Sequence, residues 1–126
     1  TMPEVDLKCV TVLKCQFSYL LGADYSLLKL EFTDFSVANL QGAKFVRTSL
    51  KQTTFIRADL SNADLTGANL ASANLTGAIV TGANFTKANF TSTVICGLDL
   101  TTAIGVTQAQ LDSAQMFRTK GNKYCP

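Results

Sequence analysis

Histidine and tryptophan are both absent from this chain. Without histidine, acid–base catalysis near neutral pH and metal binding lose their commonest side chain. Charge is sparse: only 16% of residues are charged, and the net charge is +2. That balance gives no strong pull toward nucleic acid or an anionic surface. No apolar run approaches the roughly 18 residues of a membrane-spanning helix. Hydrophobic residues make up 47% of the chain. This excludes disorder, which needs low hydrophobicity and high charge. At 126 residues, one domain is expected. Met2 follows Thr1, so Thr1 is either a foreign addition or a mature N-terminus. No signal peptide is visible, although a removed one leaves no trace.

What the sequence has in abundance is a period of five. From Tyr25 to Leu100 every fifth residue is large and apolar, through sixteen repeats: Tyr25, Leu30, Phe35, Leu40, Phe45, Leu50, Phe55 and onward. Two places before each of these centres stands a small residue, mostly Ala, with Thr at 33, 48, 53 and 93 and bulky exceptions at Leu28 and Leu98. A helix cannot use this pattern, because a step of five turns it by about 140° and spreads the centres all round. A flat strand cannot either, since a step of five alternates faces. The period suits a chain that turns a corner every five residues and brings each centre inward. Small residues two before the centre then follow, because converging sides would overpack if every inward place were large. Gly22, Gly42, Gly67, Gly77, Gly82 and Gly97 stand two after a centre, at the expected corner.

Segments such as ADLSNADLTGANL, residues 58–70, resemble the pentapeptide repeat family with its A(D/N)LXX consensus. The resemblance covers about residues 20–105. It implies an all-β solenoid: a right-handed quadrilateral β-helix of about four to five coils, twenty residues per coil, with a short C-terminal capping α-helix. Residues twenty apart should then stack, for example Leu20, Leu40, Leu60, Val80 and Leu100. The domain reading is a degenerate-repeat or cap segment at 1–19, the repeat body at 20–105, and a helix cap and tail at 106–126. Asp or Asn precedes ten of the sixteen centres. Such side chains bond nearby backbone in turns, so these carboxylates read as scaffold and not as an acid/base pair. Lys44 is expected to stack between Asp24 and Asp64. The three Asn-X-Thr sequons at Asn74, Asn84 and Asn89 read as accidents of an Ala-Asn-Leu-Thr repeat.

The C-terminal end is legible by itself. Thr107 and Gln110 fit a capping box, and Val106 with Leu111 a hydrophobic staple. A helix is expected over about 108–116, with Leu111, Ala114 and Phe117 over the last coil and Gly121 helping to end the segment. The phrase GVTQAQLDSAQ also looks like the closing segment of many bacterial proteins of this family.

Four cysteines remain. Cys15 falls on an inward centre and reads as a small core residue. Cys9 and Cys96 fall outward, and Cys125 lies in the tail. Either Cys96 pairs with Cys125 and pins the cap, which implies an oxidising periplasmic or lumenal compartment, or all four are free thiols in the cytoplasm. With no CxxC and no histidine, no metal site is expected, and neither is any cofactor or catalytic residue. The function expected is a non-catalytic scaffold mediating protein–protein interaction through outward side chains of the N-terminal coils or through the ends. The candidate surface is Leu27, Phe32, Val37, Lys44, Val46, Arg47, Lys51, Ile56 and Arg57. The partner is expected to be another protein, not nucleic acid; an end is a second route, to oligomerisation. The resemblance offers an alternative, since some members mimic DNA and bind type II topoisomerases. That needs a strongly acidic face, whereas residues 20–100 hold six basic and six acidic residues. An enzyme ranks last, because no repeat position puts a nucleophile beside a base.

Overall fold

The structure, a computed structural model, describes residues 7–114. Parallel β-bridges, and no longer strands, tie the repeats together, and all fourteen link residues twenty apart, from Lys14–Asp34 to Asn84–Ile104. From Cys15 to Leu75 each centre donates its amide to a carbonyl on the next coil, as Leu40 N does to Asp59 O at 2.8 Å. The corners from Phe17 to Gly77 do the same, as Gly42 N does to Ser61 O at 2.9 Å. The residue before the centre reaches the other way, as Asp59 N does to Ala38 O at 3.0 Å. Backbone polar groups are thus satisfied between coils while the centres pack inside.

Between sides the chain makes a tight turn. Ala43 N bonds Leu40 O at 3.0 Å, and Gly42 has φ 69°. Positive φ at the third turn residue defines a type II turn. The same corner place carries positive φ at non-glycine residues too, including Phe17, Leu27, Phe32, Val37, Arg47 and Arg57. That conformation costs an ordinary residue about 1–2 kcal/mol, and a β-branched residue such as Val37 (φ 60°) is the least suited to it. The coil-to-coil hydrogen bonds hold these corners in place, as Val37 N to Ile56 O at 2.9 Å shows.

The core follows the period. All fourteen small inward residues are buried, as are the centres from Tyr25 to Ile95. Phe35 and Phe55 stack with centroids 5.2 Å apart, and Tyr25 lies over Phe45 at 5.6 Å. Leucines at 60, 65, 70 and 75 fill the middle. The two bulky exceptions behave differently: Leu28 is exposed and Leu98 only half-buried. They stand in the first and last coils of the described residues. The last coil also slips. Gly82 N bonds Thr102 O (3.2 Å), one residue beyond the place the other corners use, and Leu100 is half-buried.

The ends depart from the sequence reading in two ways. The segment before Cys15 holds a short helix, α1 (Leu7–Thr11), whose Val10 joins the core. The closing helix, α2 (Gln108–Ser113), is shorter than the expected 108–116, because Ala114 is already extended (ψ 173°). The capping box is present on both sides, and Val106 and Leu111 pack against the core. Gln110 has a further role. Its side-chain amide donates to Phe85 O (2.9 Å), which also accepts from Ala88 N, and to Ala88 O (3.1 Å). Ala114 is buried as expected; Phe117 and Gly121 lie outside the described residues.

Candidate interaction surface

The outward Asp and Asn residues are occupied by their own turns. All ten accept a hydrogen bond from the backbone amide two residues on, with distances of 2.8–3.2 Å. Five of them also take a Thr hydroxyl, as Asp64 does from Thr66 at 2.6 Å. Lys44 pairs by backbone with both Asp24 and Asp64, as the stacking predicts. The Ser26 amide, then its hydroxyl, hold the Asp24 carboxyl below the ordinary range, with a smaller pull from Lys44. The Ser49 hydroxyl does the same for Glu31, and the Thr101 hydroxyl for Asp99. Partial burial pushes Asp59 up, but the Ser61 hydroxyl and amide and the Gln41 side chain together bring it down.

These depressed carboxyls stabilise the folded state at pH values above the unfolded carboxylate range of about 4. The contribution is lost as pH falls through the lower folded values. Thermal denaturation should therefore give a midpoint that is level from about pH 7 to 5 and falls below about pH 4. A midpoint that rises on acidification would contradict this.

The candidate residues lie on several sides of the coil. Leu27, Phe32, Val37, Arg47 and Arg57 are exposed at the third turn place; Lys51 is exposed, and Val46 and Ile56 half-buried, at the turn place before it; Lys44 is exposed on the flat. Leu27 and Arg47 share one corner, and Leu27 N bonds Val46 O at 3.0 Å. Val37 and Arg57 share another, with Phe17 beneath them, and Phe32 stands at the corner between the two. Sequence reading passed over Phe17 and Tyr19, which are 78% and 73% exposed. The signal was present, since the phase of five places both outward. Among the described residues, nine of the eleven exposed large apolar side chains fall within residues 12–37.

The cysteines correct an expectation. Cys15 is buried and inward, yet it is not a free core thiol: it forms a disulfide with Cys9. The chain turns back after α1, with Lys14 N bonded to Cys9 O at 2.9 Å, and this sets Cys9 beside Cys15, which the five-residue phase alone does not show. Cys96 is disulfide-bonded and buried at a place read as outward; Cys125, its expected partner, lies outside the described residues. The four-thiol alternative therefore fails. A helix of five residues has little stability of its own, so the bridge anchors α1. Replacing Cys9 and Cys15 by serine should cost about 2 kcal/mol, as expected for a loop of six residues. Chemical denaturation would read the loss, and hydrogen exchange should place it at residues 7–20. Equal stability in the double variant would refute the anchoring role.

No helix among the described residues is long and apolar enough to cross a membrane. No functionally curated protein matches the chain in sequence. Among solved structures it is similar to HetL, a pentapeptide repeat protein involved in heterocyst differentiation regulation in Nostoc sp. strain PCC 7120. The identity is 22%, over 82% of this chain and 70% of that one, with a TM-score of 0.36. It is similar to a pentapeptide repeat protein of the Arabidopsis thaliana thylakoid lumen at 24% identity, over 87% and 94%, with a TM-score of 0.29. It is also similar to full-length QnrB1, a plasmid-mediated fluoroquinolone resistance protein, at 22%, over 83% and 61%, with a TM-score of 0.30. The family model for pentapeptide repeats matches eight copies over residues 33–71 and 68–104. Proteins of that family fold as right-handed quadrilateral β-helices and are generally non-catalytic. With more than half its length matched and every bridge at the twenty-residue spacing, the chain belongs to the pentapeptide repeat family.

Proposed function

We propose that this chain is a non-catalytic scaffold that binds another protein through outward side chains of its N-terminal coils. The body is a right-handed quadrilateral β-helix of about four to five coils over residues 20–105, with 7–19 and 106–114 closing its ends. The observation that carries the reading is the concentration of exposed apolar side chains in residues 12–37, against a mainly Thr, Ser, Asn and Gly exterior over 61–92. Exposed apolar side chains concentrated at one end of a fold support an interaction role. The surface comprises Leu27, Phe32, Val37 and the neighbouring Lys44, Val46, Arg47, Lys51, Ile56 and Arg57. The Asx turns support a structural role for the outward carboxylates, and the near-balanced charge does not supply the acidic face that DNA mimicry needs. The disulfide chemistry at Cys9, Cys15 and Cys96 favours an oxidising compartment.

The test is a pull-down from the native source with the wild-type chain and a Phe32→Glu/Val37→Glu variant. Both side chains are exposed, so the fold should tolerate the change. The variant should lose specific captured proteins. Identical capture by both chains would remove the N-terminal coils as the site.

A further inference from the structure

The overall charge balance conceals an asymmetry between the sides of the coil. One side runs from the Leu27 corner to the Phe32 corner and continues, coil by coil, through 47–52, 67–72 and 87–92; Lys29–Ser49, Ser49–Asn69 and Asn69–Asn89 bridges fix that stacking. It carries Lys29, Arg47, Lys51 and Lys87 against a single acid, Glu31. Of the six basic and six acidic residues between 20 and 100, the other three sides share two basic and five acidic ones. Glu31 is itself turned into the side, accepting from the Ser49 hydroxyl, with Lys29 and Lys51 beside it. Arg47 lies up its corner over Gly67: its Cγ is 3.2 Å from where a β-carbon at that glycine would stand. Leu27 and Phe32, 72% and 62% exposed, mark the two corners at the base of this side.

We propose that this side docks an acidic protein segment bearing apolar anchors. The proposal rests on the scaffold reading above and narrows it to one side and one partner chemistry. Two apolar corners at the base supply desolvated contact, and the basic residues above them supply steering and register. Coils repeat at about 4.8 Å, so the cations extend over about 14 Å from Lys29 to Lys87. A spread along the axis suits an extended or helical segment. A lipid surface is served by a compact cluster of four to eight basic residues; here three stand around Glu31, and the fourth, Lys87, is two coils beyond Arg47.

The probe is a ten-residue synthetic peptide of glutamates with one leucine and one phenylalanine, titrated into the ¹⁵N-labelled chain with its disulfides intact. Amide shifts should move at 27–32 and 47–52, and binding should weaken as salt rises. Arg47→Glu/Lys51→Glu should weaken binding tenfold or more, while Lys14→Glu, exposed on another side, should change it less than twofold. Replacing the peptide's two apolar residues by serine should also weaken it. Equal binding of a lysine version, shifts confined to other sides, or no binding would each overturn the proposal. So would binding to phosphatidylserine vesicles without binding to the peptide, which would assign the side to a membrane. If the pull-down still loses partners in Phe32→Glu/Val37→Glu while the peptide fails, the scaffold reading stands and this inference alone falls.

Discussion

Phe55→Ala is expected to lower the unfolding free energy by about 3–5 kcal/mol, the range for emptying a buried phenylalanine site. Phe55 is fully buried, stacks on Phe35 at 5.2 Å with 7° between the rings, and meets Phe45 edge-on at 5.8 Å. The site cannot collapse easily. Its neighbours are held by hydrogen bonds to the coils on either side, such as Phe35 N to Thr54 O (2.7 Å) and Phe55 N to Asn74 O (2.7 Å). A loss of this size is a large share of the roughly 5–15 kcal/mol that holds a typical domain together. Urea denaturation at neutral pH measures it. Lys51→Ala, on the exposed exterior, is the control and should stay within about 0.5 kcal/mol. A Phe55→Ala variant as stable as the parent would mean that the aromatic stack is not the core of the lower coils.

Ala63→Leu is expected to destabilise by about 1–3 kcal/mol or more, through overpacking. Ala63 lies inside between Ala43 and Ala83, and all three are essentially inaccessible. Four sides converge there, and Ala63 N is tied to Leu60 O at 3.0 Å, so the backbone has little room to retreat. Ala71→Leu, an outward change of equal size, should be nearly neutral. Leu28 shows what relaxes the rule: it occupies the same repeat place but is exposed, because it sits in the first coil. If Ala63→Leu and Ala71→Leu have equal effects on the denaturation midpoint, the small inward residues are not set by convergence.

Phe55 and Ala63 both occupy inward places that the amino-acid pattern alone makes legible. Five residues per side is a period that neither helix nor strand can use, so the sequence points directly at a chain that turns corners. The capping box at Thr107 and Gln110 is legible for the same kind of reason: its bonds join residues three apart. The interaction surface is legible only in part. Leu27, Phe32 and Val37 can be placed outward, but Phe17 and Tyr19 sit in repeats too irregular to draw notice. The corner on which each candidate stands requires the coil-to-coil register.

By itself, the sequence determined which side chains go inside, Leu28 and Cys96 excepted, where the corners fall, and that the Asp and Asn residues serve the turns. Each of these is settled within a few residues along the chain, where spacing and side-chain chemistry act directly. Only the tertiary structure decided what joins distant residues. It folded α1 back to pair Cys9 with Cys15 and carried the Gln110 amide to the carbonyls of Phe85 and Ala88. It also gathered Lys29, Arg47, Lys51 and Lys87 onto one side. A closed coil makes neighbours of residues twenty apart, and a charge count along the chain averages over all four sides at once.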